Sequence, residues 1–465
     1  MSLLIKNGTI LSTTGEYVAD IYVGNDVISL IGKDLNVKAD EVVDAAGKYV
    51  FPSGVDEHVH YGSFGGLLFD TADAAAVGGT TTIADFAPQD AGVPLIEAIE
   101  RQAAKAKGTC SVDYAFHGII MDPKDSVFEE IRKLPEIGVA TLKLFMAYKG
   151  SPFYCDDEAI FKAMQIARDY GVTMMVHAEN GDIINVLQKQ LVAAGKTDPV
   201  YHYYSRPPLV ETEATQRAIA LSELAESPLF VVHVSTRGAM EAIRDAYNRG
   251  LPVYGETCTH YLTLNLENLA KRGNDGFEGA KYICSPALRP QEHLDAMWEG
   301  IQRGWLTAVG SDHCANAGGY EGAKKKGLGN FAKVPNGAPG VQDRLAMLWT
   351  QGVETGRLTK QKFVEIFATV PARMLGLPHK GRLDIGCDAD IVVYDPAYRG
   401  KITNAASYHG TDYNAFEGFP MHGIPEKVYL RGTLMAAAGK FVGAKGKGRR
   451  QRCQTYGRCF EYVSR

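Results

Sequence analysis

The sequence predicts an α/β protein: a (β/α)8 TIM-like barrel over residues 53–379, carrying a small β-sandwich domain formed by both chain ends, residues 1–52 and 380–445. Three observations predict it. The middle of the chain alternates β-branched apolar runs with helical patterns, as in parallel sheets with right-handed crossovers. Both ends read as short strands broken by turns. Ligand-type side chains recur in or at the ends of the strand-like runs, where a (β/α)8 barrel builds its active site.

The N-terminal strands are LLIKNGTIL, DIYVGNDVISLIG and EVVDAAGKYVFP, with Asn-Gly and Gly-Asn-Asp as hairpin punctuation. A similar texture returns in GRLDIGCDADIVVYDP and KVYLRGTLMAAAGKFVG, so the two ends are expected to share one discontinuous domain; two unrelated β pieces are the alternative. Between them, apolar runs lie at Thr80–Phe86, Val112–Ile120, Val139–Met146, Val172–His177, Leu229–Val234, Val253–Tyr261 and Leu306–Gly310. Segments such as DEAIFKAMQIARDYG and TEATQRAIALSELAE have the helical period. With a first strand ending at His60, eight strands can be counted, which favours a closed barrel over an open sheet. The basic, Gly-rich stretch at 446–465 reads either as a solvated tail or as an arm in subunit contacts.

Composition narrows the function classes. Of 465 residues, 45% are hydrophobic and 22% charged, and the small net charge of −5 leads us to expect neither a nucleic-acid nor a membrane partner. The eight cysteines form no CxxC pair or repeating framework, pointing to neither a zinc ribbon nor a disulfide scaffold, and to a reducing compartment. The start MSLLIKNGTI reads as a strand rather than a signal peptide, and no run approaches the length of a membrane span. A cytoplasmic location is expected.

Six candidate metal ligands lie in these runs: His58 and His60 in FPSGVDEHVH, Lys143 in ATLKLFMAY, His177 in VTMMVHAEN, His233 in LFVVHVS and Asp312 in TAVGSDH. A lone His after an apolar run is usually a packed core residue. Repetition of the pattern is harder to attribute to packing. Two His separated by one residue on a strand point to the same side and reach one metal from one rigid element. Lys143 is unusual, because lysine is rarely buried unless paired. Beside divalent metals its ammonium is pushed towards the neutral amine, which reacts with carbon dioxide to give a carbamate able to bridge two metals; the alternative is a lysine reaching past the barrel to a carboxylate. His177 and His233 would complete a second metal and Asp312 the first, giving two metals with a hydroxide between them. Asp312 then doubles as the base that passes a proton to a leaving nitrogen. His117 and His260 end similar runs and are left outside the ligand set, His313 is assigned a supporting role, and the remaining His residues are expected to be structural or exposed.

GVDEHVH, TLKLFMAYKG, HAEN, HVS, SDH and GCDADIVVYDP resemble signatures of the amidohydrolase superfamily, over nearly the whole chain. Within it the chain is most similar to the dihydropyrimidinase and hydantoinase group, through LFMAYKG around Tyr148, SRP at Ser205–Pro207, CSPALRP around Ser285, PNGAPGVQDR around Asn336 and DYNAFEG at Asp412–Gly418. The resemblance implies a barrel with a two-ended β-sandwich, two divalent metal ions with zinc favoured, and a carbamate on Lys143. It implies hydrolytic ring opening of 5,6-dihydropyrimidines or 5-substituted hydantoins to N-carbamoyl amino acids, as in pyrimidine breakdown, and a homo-oligomer with a tetramer favoured. Tyr148 matches the family tyrosine that stabilises the oxyanion, and Ser285 and Asn336 match positions whose backbone groups hold the cyclic amide. Taken alone, Tyr148 is equally an aromatic packing residue.

Near His60 the sequence departs from the family: HVHYGSFGGLLFDTA keeps FGG but has Val59 between the His residues and Tyr61-Gly62 in place of Leu-Asp. Phe64, Leu67, Phe153 and Tyr154 are candidate pocket-wall residues for an exocyclic substituent. Dihydroorotases usually place an Arg where Gly62 stands, which disfavours that substrate. Allantoinase and L-hydantoinase remain as alternatives. The full ligand set argues against a non-enzymatic scaffold, and Lys143 against a one-metal deaminase. An acyl-amino-acid hydrolase would need a carboxylate-binding cation, for which Arg289 is the sequence candidate.

Overall fold

The computed structural model describes residues 2–455. The N-terminal region contributes β1 (Leu3–Leu11), β2 (Glu16–Gly24), β3 (Val27–Gly32), β4 (Glu41–Asp44) and β5 (Tyr49–Pro52). The barrel strands are β6 (Gly54–Val59), β7 (Thr80–Pro88), β8 (Asp113–Ile119), β9 (Thr141–Phe145), β10 (Thr173–His177), β11 (Leu229–Val231), β12 (Val253–Cys258) and β13 (Ala308–Gly310). The chain closes with β14 (Ile391–Lys401), β15 (Pro420–Leu430), β16 (Thr433–Ala437) and β17 (Lys440–Phe441).

The two ends form one nine-stranded sheet, joined where β5 pairs antiparallel with β14. It encloses its own core of Ile5, Ile21, Val43, Val50, Ile391 and Tyr429, separate from the barrel's. One local expectation is corrected here. Asn7-Gly8 is not a hairpin turn but a bulge inside β1, with Asn7 at φ +62°. At that point β1 changes its parallel neighbour from β4 to β5, and the bulge supplies the bend. Gly24-Asn25-Asp26 does turn β2 into β3, with both Asn25 and Asp26 at positive φ.

The eight barrel strands are parallel and run in sequence order. The ring closes where Val59 bridges His313, Ser311 N–H donates to Asp56 Oδ1 at 3.1 Å and His60 N–H donates to the His313 carbonyl at 2.7 Å. The helices obey their end signals: Asp157–Tyr170 begins with the Asp156 side chain accepting from Ala159 N–H and stops at left-handed Gly171. The run expected as strand to Tyr261 ends at Cys258, and Thr259–Thr263 is helical. Side chains alternate along each strand, so Phe86, Ile119, Phe145, Met175, Phe230 and Val232 pack into one cluster. Lys143 and His177 share the alternation of Phe145 and Met175.

Residues 446–455 run along the barrel's own loops: Gln451 N–H donates to Tyr114 O at 2.7 Å, Cys453 N–H to Gly138 O at 2.8 Å and Gln454 N–H to Gly376 O at 3.1 Å. This stretch is therefore docked on the barrel rather than a solvated tail; the rest of the expected arm lies outside the described residues. Among the described residues no helix is long and apolar enough to cross a membrane.

Candidate metal centre

The six ligand candidates come from five strands or the turns just beyond them, and they meet. His58 and His60 Nε2 each lie 3.2 Å from Asp312 Oδ1, and Lys143 Nζ lies 3.2 Å from His58 Nε2. The His58 and His233 rings are 5.4 Å apart, and those of His177 and His233 4.5 Å. All but Asp312 are buried, and its side chain is only 12% exposed. His233 and Asp312 lie beyond the ends of β11 and β13 in left-handed backbone, at φ +43° and +45°. Tyr148 at +62° and Phe64 at +53° share this uncommon conformation, so four cavity residues are held in a strained geometry.

The electrostatics suit a cation. Burial lowers the pKa of His58, His60, His177 and His233, leaving the neutral imidazoles that metals require. Burial also brings Lys143 down to about 8, against the pull of Asp312 and Glu256. Burial pushes Asp312 up, but the contact with His60 and the charge of Lys143 outweigh it and hold the carboxyl below its usual value.

The donor set fits a divalent metal. His58, His60 and Asp312 offer ligand atoms that all lie within 4.8 Å of one another. His58 Nδ1 is taken by Glu256 at 3.0 Å and His177 Nε2 by Glu179 at 2.7 Å, which leaves each ring one nitrogen for a metal. Buried His233 Nδ1 has no hydrogen-bond partner. Nitrogen and carboxylate donors of this kind fit zinc and its neighbours.

The centre forms the floor of a cavity of about 290 Å³. Its walls include Phe64, Phe145, Tyr148, Phe153, Ser285, Asn336 and Cys314. Burial pushes the Tyr148 hydroxyl up to about 12, so it stays protonated as a donor. Two expected wall residues are elsewhere. Leu67 pins its loop through N–H to Ala315 O at 2.9 Å, and Tyr154 turns towards Lys149, whose Nζ sits 4.2 Å from its ring centroid. Neither lines the cavity.

Four of the histidines left outside the ligand set lie close to the centre or to the loops around it. His117 uses both ring nitrogens, on Thr141 Oγ1 at 2.5 Å and Glu57 O at 2.9 Å. His313 Nδ1 accepts from Gly340 N–H at 3.1 Å. His260 is buried but does not line the cavity. His409 pairs with Asp343 at 3.0 Å. Arg289 is fully buried with Glu211 at 2.9 Å, so it offers no cation to a substrate carboxylate. Sequence reasoning missed Glu256, Glu179, Phe145 and Arg206. The nearest signals are alternation in VYGETC, which turns Glu256 to the side of Tyr254 and Cys258, and the spacing of Glu179 two residues after His177.

The chain matches the Amidohydrolase family over residues 49–435. It is 43% identical to a D-hydantoinase of Geobacillus stearothermophilus over 98% of both chains. The crystal structure of dihydropyrimidinase from Brevibacillus agri NCHU1002 superposes with a TM-score of 0.95 at 42% identity, covering 98% of this chain and 99% of that one. The L-hydantoinase (dihydropyrimidinase) from Arthrobacter aurescens superposes with a TM-score of 0.87 at 31% identity, covering 96% and 99%.

Proposed function

The chain belongs to the amidohydrolase family, and from that premise we propose that it opens cyclic amides, turning 5,6-dihydropyrimidines and 5-substituted hydantoins into N-carbamoyl amino acids. The observation that carries this reading is the meeting of His58, His60, Lys143 and Asp312, the last three of them on the floor of a cavity walled by Phe64, Phe145 and Phe153. That arrangement fits a polar ring held over a metal centre with an apolar substituent against the aromatic side.

Divalent metal ions are the family's cofactor. His58, His60 and Asp312 would hold one, His177 and His233 a second, with Lys143 between them as its carbon dioxide-derived carbamate and zinc as the metal. When bound, such ions supply Lewis acidity, polarising the carbonyl and making water a stronger acid. Asp312 takes the proton of the attacking water and delivers it to the ring nitrogen as the C–N bond breaks. Tyr148 donates its hydroxyl proton in a hydrogen bond to the carbonyl oxygen as negative charge builds there. Backbone groups at Ser285 and Asn336 orient the amide, and Phe64 and Phe153 receive the exocyclic substituent. The greater similarity to a relative named D-hydantoinase than to the L-hydantoinase supports the D hand.

Two further features support the wider reading. Ile183, Val186, Tyr204 and Leu209 are exposed apolar side chains on neighbouring helices, the kind of patch that supports a homo-oligomer, with a tetramer favoured. Cys110, Cys155, Cys258, Cys284, Cys314 and Cys387 are buried free thiols, in keeping with the cytoplasm.

The test is ring opening of dihydrouracil beside the D and L forms of a 5-aryl hydantoin, using protein supplied with zinc and bicarbonate. The D-aryl hydantoin is expected to turn over faster than its L form. Protein carrying two metals that opens none of the three would overturn the reading.

A further inference from the structure

Tyr148 sits in a loop beyond β9, in left-handed backbone, so no strand fixes the direction of its ring. Among the groups packed against the ring is Arg206, which follows the short helix Tyr201–Ser205 and is 3% exposed. The guanidinium carbon lies 5.5 Å from the centroid of the Tyr148 ring. One of its nitrogens donates to Glu179 Oε2 at 2.6 Å, and the same oxygen meets His177 Nε2 at 2.7 Å. Arg289 anchors the arginine from behind by donating to the Arg206 carbonyl. One buried guanidinium therefore touches both the ring of the oxyanion donor and the carboxylate that orients a ligand imidazole.

We propose that Arg206 is the positioning residue of Tyr148, its planar guanidinium fixing the phenol ring so that the hydroxyl meets the reacting carbonyl. This rests on the role given to Tyr148 above. The choice of arginine has a physical reason. A planar, permanently charged fork can lie on an aromatic face and bind a carboxylate edge-on together, whereas an ammonium is a point charge that satisfies one partner at a time. A fixed cation behind the phenol also favours the charge distribution of a hydroxyl hydrogen-bonded to an oxyanion, without reorganisation during reaction.

The test is a double-mutant cycle on ring opening of a 5-aryl hydantoin by zinc-loaded enzyme, with kcat, KM and metal content measured for each protein. Arg206→Met is expected to lower kcat by tenfold to a hundredfold, on the order of a misplaced catalytic group, with KM changed far less. Arg206→Lys, which keeps a charge for Glu179, should recover part of kcat. Combined with Tyr148→Phe, neither Arg206 change should slow the enzyme further. Full additivity in the double variants, with Tyr148→Phe itself impaired, overturns the positioning role while leaving that of Tyr148 intact. An unimpaired Tyr148→Phe enzyme removes both. Should Arg206→Met fail to fold, the cycle with Arg206→Lys decides the question by the same criterion.

Discussion

His58 is gripped from behind by Glu256: both carboxylate oxygens lie within hydrogen-bond reach of Nδ1, at 3.0 and 3.1 Å, and both side chains are fully buried. The contact spans the barrel from β6 to β12 and fixes which imidazole nitrogen faces the metal floor. A ligand so held loses little freedom on binding and becomes more basic.

Glu256→Ala should therefore weaken metal binding by about 10–100-fold, the usual effect of losing an outer partner of a ligand imidazole. Competition with a chelator, read as the metal retained, checks it. Unchanged retention would show that the barrel wall alone orients His58.

Lys143 lies inside β9, fully flanked by apolar neighbours, with Nζ 4.2 Å from the Phe86 ring centroid and 3.2 Å from His58 Nε2. No carboxylate pairs with it at ion-pair distance among the described residues, so the paired-lysine alternative has no geometric support. Lys143→Ala should lose most bound metal and activity, and short carboxylic acids, which replace the carbamate's oxygens, should restore part of both. Full activity with both metals in the alanine variant would remove Lys143 from the centre.

The ligands were legible because each lies in or at the end of a strand-like run, and a barrel gathers such positions towards one mouth. His58-Val59-His60 shows this best, since a local spacing suffices. Their partners were not legible. Glu256 acts across 198 residues of chain from His58, Arg206 across 58 from Tyr148, and no local pattern says which distant side chain each one meets. The same limit explains Asn7-Gly8: the dipeptide signals positive φ, and only the neighbouring strands decide whether that becomes a turn or a bulge.

Phe64 and Phe153 face one another across the cavity wall with ring centroids 5.2 Å apart, and Phe153 also meets Phe145 edge-on at 5.6 Å. Phe64→Ala and Phe153→Ala should each raise KM for a 5-aryl hydantoin by roughly twofold to tenfold, the value of one aromatic contact. Dihydrouracil, which has no such substituent, should be unaffected. Equal losses on both substrates would mean that these rings shape the centre rather than the substituent pocket.

The last prediction concerns the opposite side of the molecule, where the two ends meet the barrel. Lys380 Nζ lies 2.7 Å from Asp113 and 2.8 Å from both Asp388 and Asp390, in a side chain 2% exposed. Arg431 pairs with Asp113 as well, and Arg449 N–H donates to Asp113 Oδ1 at 2.8 Å. Burial works against the lysine's charge, but the three carboxylates outweigh it and raise its pKa. Burial keeps the Asp390 carboxyl above its usual value even with Lys380 present. Lys380→Met should cost about 3–5 kcal/mol, because it leaves buried carboxylates without their central cation. A carboxyl whose folded pKa is raised, as that of Asp390 is, binds its proton more readily folded than unfolded, so its stabilising contribution is present at low pH and lost as pH rises through the folded value. The variant's stability deficit should therefore shrink on going from about pH 8 towards about pH 5. Denaturant unfolding of both proteins at several pH values measures it. A deficit that stays constant or grows on acidification would mean that the lysine's packing, and not its charge, holds the two ends to the barrel.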